Sequence, residues 1–163
     1  MHDMVHEVAK SVGGGFILVE NASEKKAQTH ASNRICRYAL LSNYGEDKLI
    51  SEHLPPKTRA LHLPNCKIDG VPLKDAKYLR VVDFSGCSSE GFPASISHLE
   101  YLRYLDASSN PMNELTKECT ELSNLLFFDL SNTSLEVLPS DFPKLQNLVS
   151  LNLSYCQPGG RLD

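Results

Sequence analysis

A single ruler of 23 residues runs through most of this chain, and it limits the fold more than any other feature. Leu79, Leu102, Leu125 and Leu148 are separated by that step, as are Val82, Leu105, Phe128 and Leu151, and again Phe84, Ala107, Leu130 and Leu153. A fourth column reads Cys87, Asn110, Thr133 and Cys156. The second half of each unit keeps the same step in the columns Phe92, Leu115, Leu138; Leu73, Ile96, Cys119, Phe142; and Ala76, Leu99, Leu122, Leu145. Units that repeat at a fixed period of roughly 20–50 residues cannot each bury an apolar face alone, so they stack and share one continuous core.

Within a unit the apolar residues spell L-x-x-L-x-L-x-x-N/C-x-L, and the pattern resembles the leucine-rich repeat. Two fainter units precede the clear ones, Thr58-Leu61-Leu63-Cys66 and Ile35-Tyr38-Leu40-Asn43. The step from Ile35 to Thr58 is again 23, whereas Thr58 to Leu79 is 21, a two-residue deletion between Cys66 and Leu73. The expected fold is therefore an α/β leucine-rich-repeat solenoid of about five to six units. Its parallel strands line the concave face, and its convex side is irregular or short-helical. The fourth and sixth positions alternate inward from a short strand, and the ninth turns the chain away from the sheet. Cys66, Cys87 and Cys156 fall in that ninth column and read as small buried fillers.

Positions three, five and seven point out of the concave sheet. Position three reads Ala60, Val81, Tyr104, Phe127, Ser150; position five His62, Asp83, Asp106, Asp129, Asn152; position seven Pro64, Ser85, Ser108, Ser131, Ser154. Aspartates on neighbouring strands lie about 5 Å apart and repel, which fits the column to a basic partner. The same Asp and Ser are also ordinary repeat consensus, and both readings stand. Tyr104 beside Phe127 is the better recognition patch, because exposed aromatics give contact area at low entropic cost. The candidate protein-recognition residues are thus His62, Asp83, Tyr104, Asp106, Phe127 and Asp129.

Charge is uneven along the chain. Residues 21–80 carry 11 basic and 6 acidic side chains, net +5, and residues 81–163 carry 4 and 11, net −7. A basic first part of a solenoid suits an acidic neighbour. The whole chain is −4, which argues against a nucleic-acid partner. The longest apolar run near the start, Phe16-Ile17-Leu18-Val19, is too short for a membrane span or a signal core. Five cysteines without a C-x-x-C pair read as reduced thiols rather than a disulfide or metal framework. Sequons at Asn21, Asn132 and Asn152 are common by chance. Together these features lead to an expected cytoplasmic location, no membrane contact and no small-molecule substrate. Enzymatic motifs such as GxSxG, HExxH or paired carboxylates are absent from the sequence, so no catalytic residue is expected.

Ahead of the repeats, Met1, Met4, Val5, Val8, Ala9 and Val12 follow the spacing of an amphipathic helix. Gly13-Gly14-Gly15 ends it, Phe16–Val19 reads as a short strand, and 21–34 as a polar linker. Met1-His2-Asp3-Met4-Val5-His6-Glu7-Val8-Ala9 resembles the MHD motif of the winged-helix part of the NB-ARC module in plant intracellular nucleotide-binding leucine-rich-repeat immune receptors, the disease resistance proteins. The order of MHD helix, strand, linker and then Arg37-Tyr38-Ala39-Leu40-Leu41 is similar to theirs, as are Leu102-Arg103-Tyr104-Leu105-Asp106 and Leu138-Pro139.

The resemblance implies a receptor fragment that begins at the MHD motif. It divides the chain into a winged-helix remnant (1–20), a linker (21–34) and repeats (35–163) truncated at the C-terminal end with an exposed apolar edge. It further implies that His2 approaches the phosphates of ADP in full-length relatives and that Asp3 supports the off state. The phosphate-cradling G-x-x-x-x-G-K-[ST] pattern is missing, so no ADP or ATP cofactor is expected for this chain alone. His2 and His6 stand i, i+4 without a third ligand nearby, and no metal is expected. The implied function is recognition and regulation in plant defence, with an NB-ARC module, a pathogen effector or a guarded host protein as partner. A generic cytosolic repeat scaffold unrelated to immunity is the alternative.

Overall fold

The protein is described by a computed structural model, which covers the backbone of residues 16–20, 28–29 and 38–42 and the side chains of 38–40, 54, 57–63, 66–68, 71 and 73–156. The helix expected over Met1–Val12, and with it His2 and Asp3, lies outside the described residues.

Among the described residues, eight short strands form one sheet. They are β1 (Phe16–Glu20), β2 (Gln28–Thr29), β3 (Tyr38–Ser42), β4 (Ala60–His62), β5 (Val81–Asp83), β6 (Tyr104–Asp106), β7 (Phe127–Asp129) and β8 (Ser150–Asn152). Their order is β2-β1-β3-β4-β5-β6-β7-β8, with β1 and β2 antiparallel and every other neighbouring pair parallel. Parallel pairing demands a long return path between strands, and the remaining residues of each unit supply it. Among the described residues, the return on the convex side holds short 3₁₀ turns: η1 (Ala94–His98), η2 (Lys117–Glu121) and η3 (Phe142–Lys144). The strand expected over Phe16–Val19 is present as β1, one residue longer, and it pairs with β3 at the head of the same sheet.

The inward columns read from the sequence make the core. Leu79, Leu102 and Leu125, then Val82, Leu105 and Phe128, then Phe84, Ala107 and Leu130 are all buried, as are Leu99, Leu122 and Leu145 on the convex side. Asn110, Cys87 and Thr133 close each strand from the ninth column. The Asn110 amide donates to the carbonyls of Phe84 (2.9 Å), Ala107 (2.9 Å) and Ser108 (3.2 Å). Cys87 Sγ reaches Leu63 O at 2.8 Å, and Thr133 Oγ1 donates to Leu130 O at 2.8 Å. One residue earlier the backbone enters the left-handed region at the same step, at Gly86, Ser109, Asn132 and Tyr155. Burial pushes the thiols of Cys87 and Cys119 up to about 12, in keeping with neutral fillers. Cys87, Cys119 and Cys156 are free thiols.

The first faint unit is corrected by one residue. Ala39, not Tyr38, pairs with Leu61 and is fully buried, while Tyr38 pairs with Ala60 and Leu40 with His62, both half-buried. The true step there is 22. A slip of one residue exchanges the two faces of a strand, so the apparent match of Tyr38 and Leu40 to the inward positions had the wrong face.

The two-residue deletion is closed by hydroxyls of the following unit. Ser89 Oγ accepts from Ile68 N at 2.8 Å; Ser95 Oγ accepts from Leu73 N at 3.0 Å and donates to Val71 O at 2.7 Å. A shortened return path leaves backbone groups without their usual partners, and buried backbone groups are almost always paired.

Candidate protein-recognition surface

The outward faces of β4 to β8 carry the residues that recognition would use. Across the strands, Ala60, Val81, Tyr104, Phe127 and Ser150 are register partners, as are His62, Asp83, Asp106, Asp129 and Asn152. Each expected column is therefore a real row on the sheet. Phe127 is 44% exposed, and Tyr104 beside it is half-buried. Burial pushes the Tyr104 phenol up to about 12, helped by the charges of Asp106, Asp83 and Asp129, so it stands as a neutral hydroxyl.

The aspartate row is engaged within the repeats. Asp83, Asp106 and Asp129 each accept the backbone N–H two residues on, from Ser85, Ser108 and Ser131, at 2.9 Å. The hydroxyls of Ser85 and Ser131 add bonds of 2.6 Å. Such Asx turns bend the chain as it leaves a strand, and Asn152 makes the same bond to Ser154 N at 3.1 Å. The second carboxylate oxygens of Asp83 and Asp129 are occupied too. His62 Nδ1 stands 2.8 Å from Asp83 Oδ2, and Asn152 Nδ2 donates to Asp129 Oδ2 at 3.0 Å.

The three carboxyls consequently titrate apart. For Asp83, burial opposes ionisation, but the hydrogen bonds from His62 and Ser85 outweigh it and hold the group at about 2. Asp129 is likewise lowered: burial raises it, and Ser131 and Asn152 more than offset this. Asp106, only 8% exposed, is raised by burial first and by the flanking charges of Asp83 and Asp129, against the bonds from Ser108.

A raised carboxyl favours the fold fully below its unfolded value near 3.9, and that contribution is lost as pH climbs through the folded value. Asp106→Asn is therefore expected to stabilise the protein at pH 7 by about 0.2–1 kcal/mol, the worth of a like-charge cross-strand contact. The gain should vanish near pH 3. Asn152 shows that an amide keeps the turn here. Denaturant midpoints of both proteins at the two pH values check this, and a gain that persists at pH 3 would refute the electrostatic origin. Asp83 works in the opposite direction, its contribution being present above about 3.9 and lost as pH falls toward 2.

A further row was not singled out from the sequence. Arg59, Arg80 and Arg103 occupy the residue just before β4, β5 and β6, and all three are exposed. Arg80 N donates to Arg59 O at 2.7 Å and Arg103 N to Arg80 O at 2.9 Å, which places the three on successive strands. Two residues before Arg80 and Arg103, the exposed rings of Tyr78 and Tyr101 stack with centroids 6.4 Å apart, and Lys77 Nζ lies 5.5 Å from the centre of the Tyr78 ring. The signal was available as another column at the repeat step, but exposed arginines between leucines read as an ordinary solvated edge. Among the described residues there is no cluster of three or more potential metal ligands, and no helix is long and apolar enough to cross a membrane.

Residues 57–159 match the family described as leucine-rich repeat region. The chain belongs to the leucine-rich repeat family. No curated protein sequence matches it. Among solved structures, a leucine-rich-repeat protein of Leptospira interrogans is 28% identical, with a TM-score of 0.57 over 61% of this chain and 26% of its own length. The ectodomain of the receptor kinase SOBIR1 from Arabidopsis thaliana is 21% identical, with a TM-score of 0.54 over 87% of this chain and 79% of its own. The plant peptide hormone receptor RGFR1, solved in complex with RGF2, is 23% identical, with a TM-score of 0.56 over 71% of this chain and 19% of its own. This leucine-rich repeat chain thus spans about a quarter of the Leptospira protein and about a fifth of the hormone receptor. Likeness at these identities establishes the fold of the repeats. The repeat fold is commonly a scaffold for protein interaction, and the matches indicate no enzymatic family.

Proposed function

We propose that this chain is a protein-recognition and regulatory piece of a plant intracellular immune receptor, acting in defence through its leucine-rich repeats in the cytoplasm. The observation that carries this reading is the nine-residue likeness of Met1–Ala9 to the MHD motif, placed directly ahead of a repeat array. In that reading 1–20 is a winged-helix remnant, 21–34 a linker and 35–163 the repeats, and His2 and Asp3 are vestiges of a nucleotide-state sensor. Partners are an NB-ARC module, a pathogen effector or a guarded host protein, met by the concave face around Tyr104 and Phe127. A peptide-binding neighbour such as RGFR1 supports a protein or peptide ligand in general. Binding that prefers one state of the partner would shift its equilibrium.

The test is a titration of the 163-residue protein against a separately expressed NB-ARC module, with Asp3→Val and Phe127→Asp variants alongside. Saturable binding is expected, weakened about tenfold or more by Phe127→Asp, the effect of losing a central aromatic contact. Absence of binding by a folded protein would leave the generic repeat scaffold as the better description.

A further inference from the structure

We infer that the row Arg59, Arg80 and Arg103, flanked by the stacked pair Tyr78–Tyr101, is a docking edge for an acidic amphipathic helix of a partner protein. The inference rests on the protein-recognition reading above and names the chemistry of the partner. The arginines stand at the heads of three successive strands and are exposed, and among the described residues no ion pair involves them. A guanidinium presents a planar fork that carboxylates match in bidentate fashion. Residues 21–80, which hold two of the three arginines, carry the positive half of the chain's charge.

Spacing selects the shape of the ligand. Neighbouring strands are about 4.8 Å apart, so the row spans about 9.6 Å from first to third strand. Carboxylates at positions i, i+4 and i+7 of a helix rise by about 10.5 Å and stay in step with it. Same-side carboxylates of an extended chain cover about 13 Å and fall out of step. The next outward row, with Val81, Tyr104 and Phe127, is apolar and gives the underside of such a helix a seat.

The aspartate row decides against a polyanion. It lies three residues beyond the arginines along each strand, about 10 Å away, which is close to the width of one helix. A helix can turn its acidic edge to the arginines and an uncharged or basic edge to Asp83 and Asp129. A nucleic-acid strand, charged on its whole outline, would meet those carboxylates as well.

The experiment titrates the full protein with a synthetic helical peptide of about 18 residues, long enough to hold helix when stabilised, carrying Glu at three successive turns beside a leucine stripe. A second peptide of the same composition has the Glu residues moved opposite the stripe, and a single-stranded oligothymidylate is the third probe. The first peptide should bind, the second at least about tenfold more weakly. Arg80→Gln should weaken binding about tenfold and the triple Arg59→Gln, Arg80→Gln, Arg103→Gln variant should abolish it, with Arg80→Lys recovering only part because an ammonium is a point charge. All variants should melt like wild type, since these side chains are exposed. Equal binding of both peptides, tighter binding of the oligothymidylate, or an unchanged triple variant overturns the inference, and so does failure of wild type to bind the first peptide. Binding of the NB-ARC module that the triple variant leaves intact would also overturn it while preserving the proposed function.

Discussion

Phe128→Ala is expected to destabilise the protein by about 3–5 kcal/mol, the range for emptying an aromatic site in a packed core. Phe128 is almost fully buried in β7, and its ring lies 6.1 Å from that of Phe92, tilted by 50°. The rest of its column is aliphatic, with Val82, Leu105 and Leu151 at the equivalent positions. The adjoining column holds the small Ala107 between Phe84 and Leu130, all three of them buried. Truncation leaves a void in a stack of units that meet only their neighbours, so the preceding repeats cannot easily collapse into it. Phe128→Leu, which restores the residue the column uses elsewhere, should cost less than about 1.5 kcal/mol. A double-mutant cycle with Phe92→Leu should show a coupling of about 0.5–1.5 kcal/mol from the ring pair. Urea midpoints measure all three. A loss under about 1 kcal/mol for Phe128→Ala would mean that this part of the array is loosely packed.

The fold was legible because every unit buries the same few columns, and a repeated burial requirement leaves a repeated residue type. That logic placed Leu102, Leu105 and Leu125 correctly without reference to any structure. It failed at Tyr38, where Ile35 and Leu40 offered an apolar pattern one residue away from the true one. In a strand this short, alternation alone does not fix the face. The serines that close the shortened unit, Ser89 and Ser95, were not legible either, since a hydroxyl that satisfies a backbone group across 21 or 24 residues leaves no periodic trace. At the candidate surface the rows were legible and their chemistry was not. An aspartate that caps its own turn and one that waits for a partner have the same letter, and only the bonds to Ser85, Ser108 and Ser131 distinguish them. The arginine row was overlooked for the converse reason: its residues look solvated one by one and become a feature only in register.

Asn110→Ala is expected to cost about 2–3 kcal/mol, because a buried donor is removed while the carbonyls it served stay buried. Its two N–H donors are shared among Phe84 O, Ala107 O and Ser108 O and so tie the turn of its own unit to the strand end of the unit before. The same column solves this problem in other ways within one molecule. Cys87 bonds to Leu63 O and Thr133 to Leu130 O, while Cys156 Sγ reaches Leu130 O at 3.1 Å. Each of these offers a single weak or neutral donor, so Asn110→Cys and Asn110→Thr should fall between wild type and alanine. Asn110→Asp should be worse than alanine at neutral pH, since a buried carboxylate facing carbonyl oxygens has repulsion in place of a hydrogen bond. It should recover in part on acidification, when the carboxyl regains a proton to donate. Thermal or urea unfolding of the four variants at pH 7 and pH 4 orders them. An order set by side-chain volume alone would show that packing, and not donation to the strand-end carbonyls, is what the column selects.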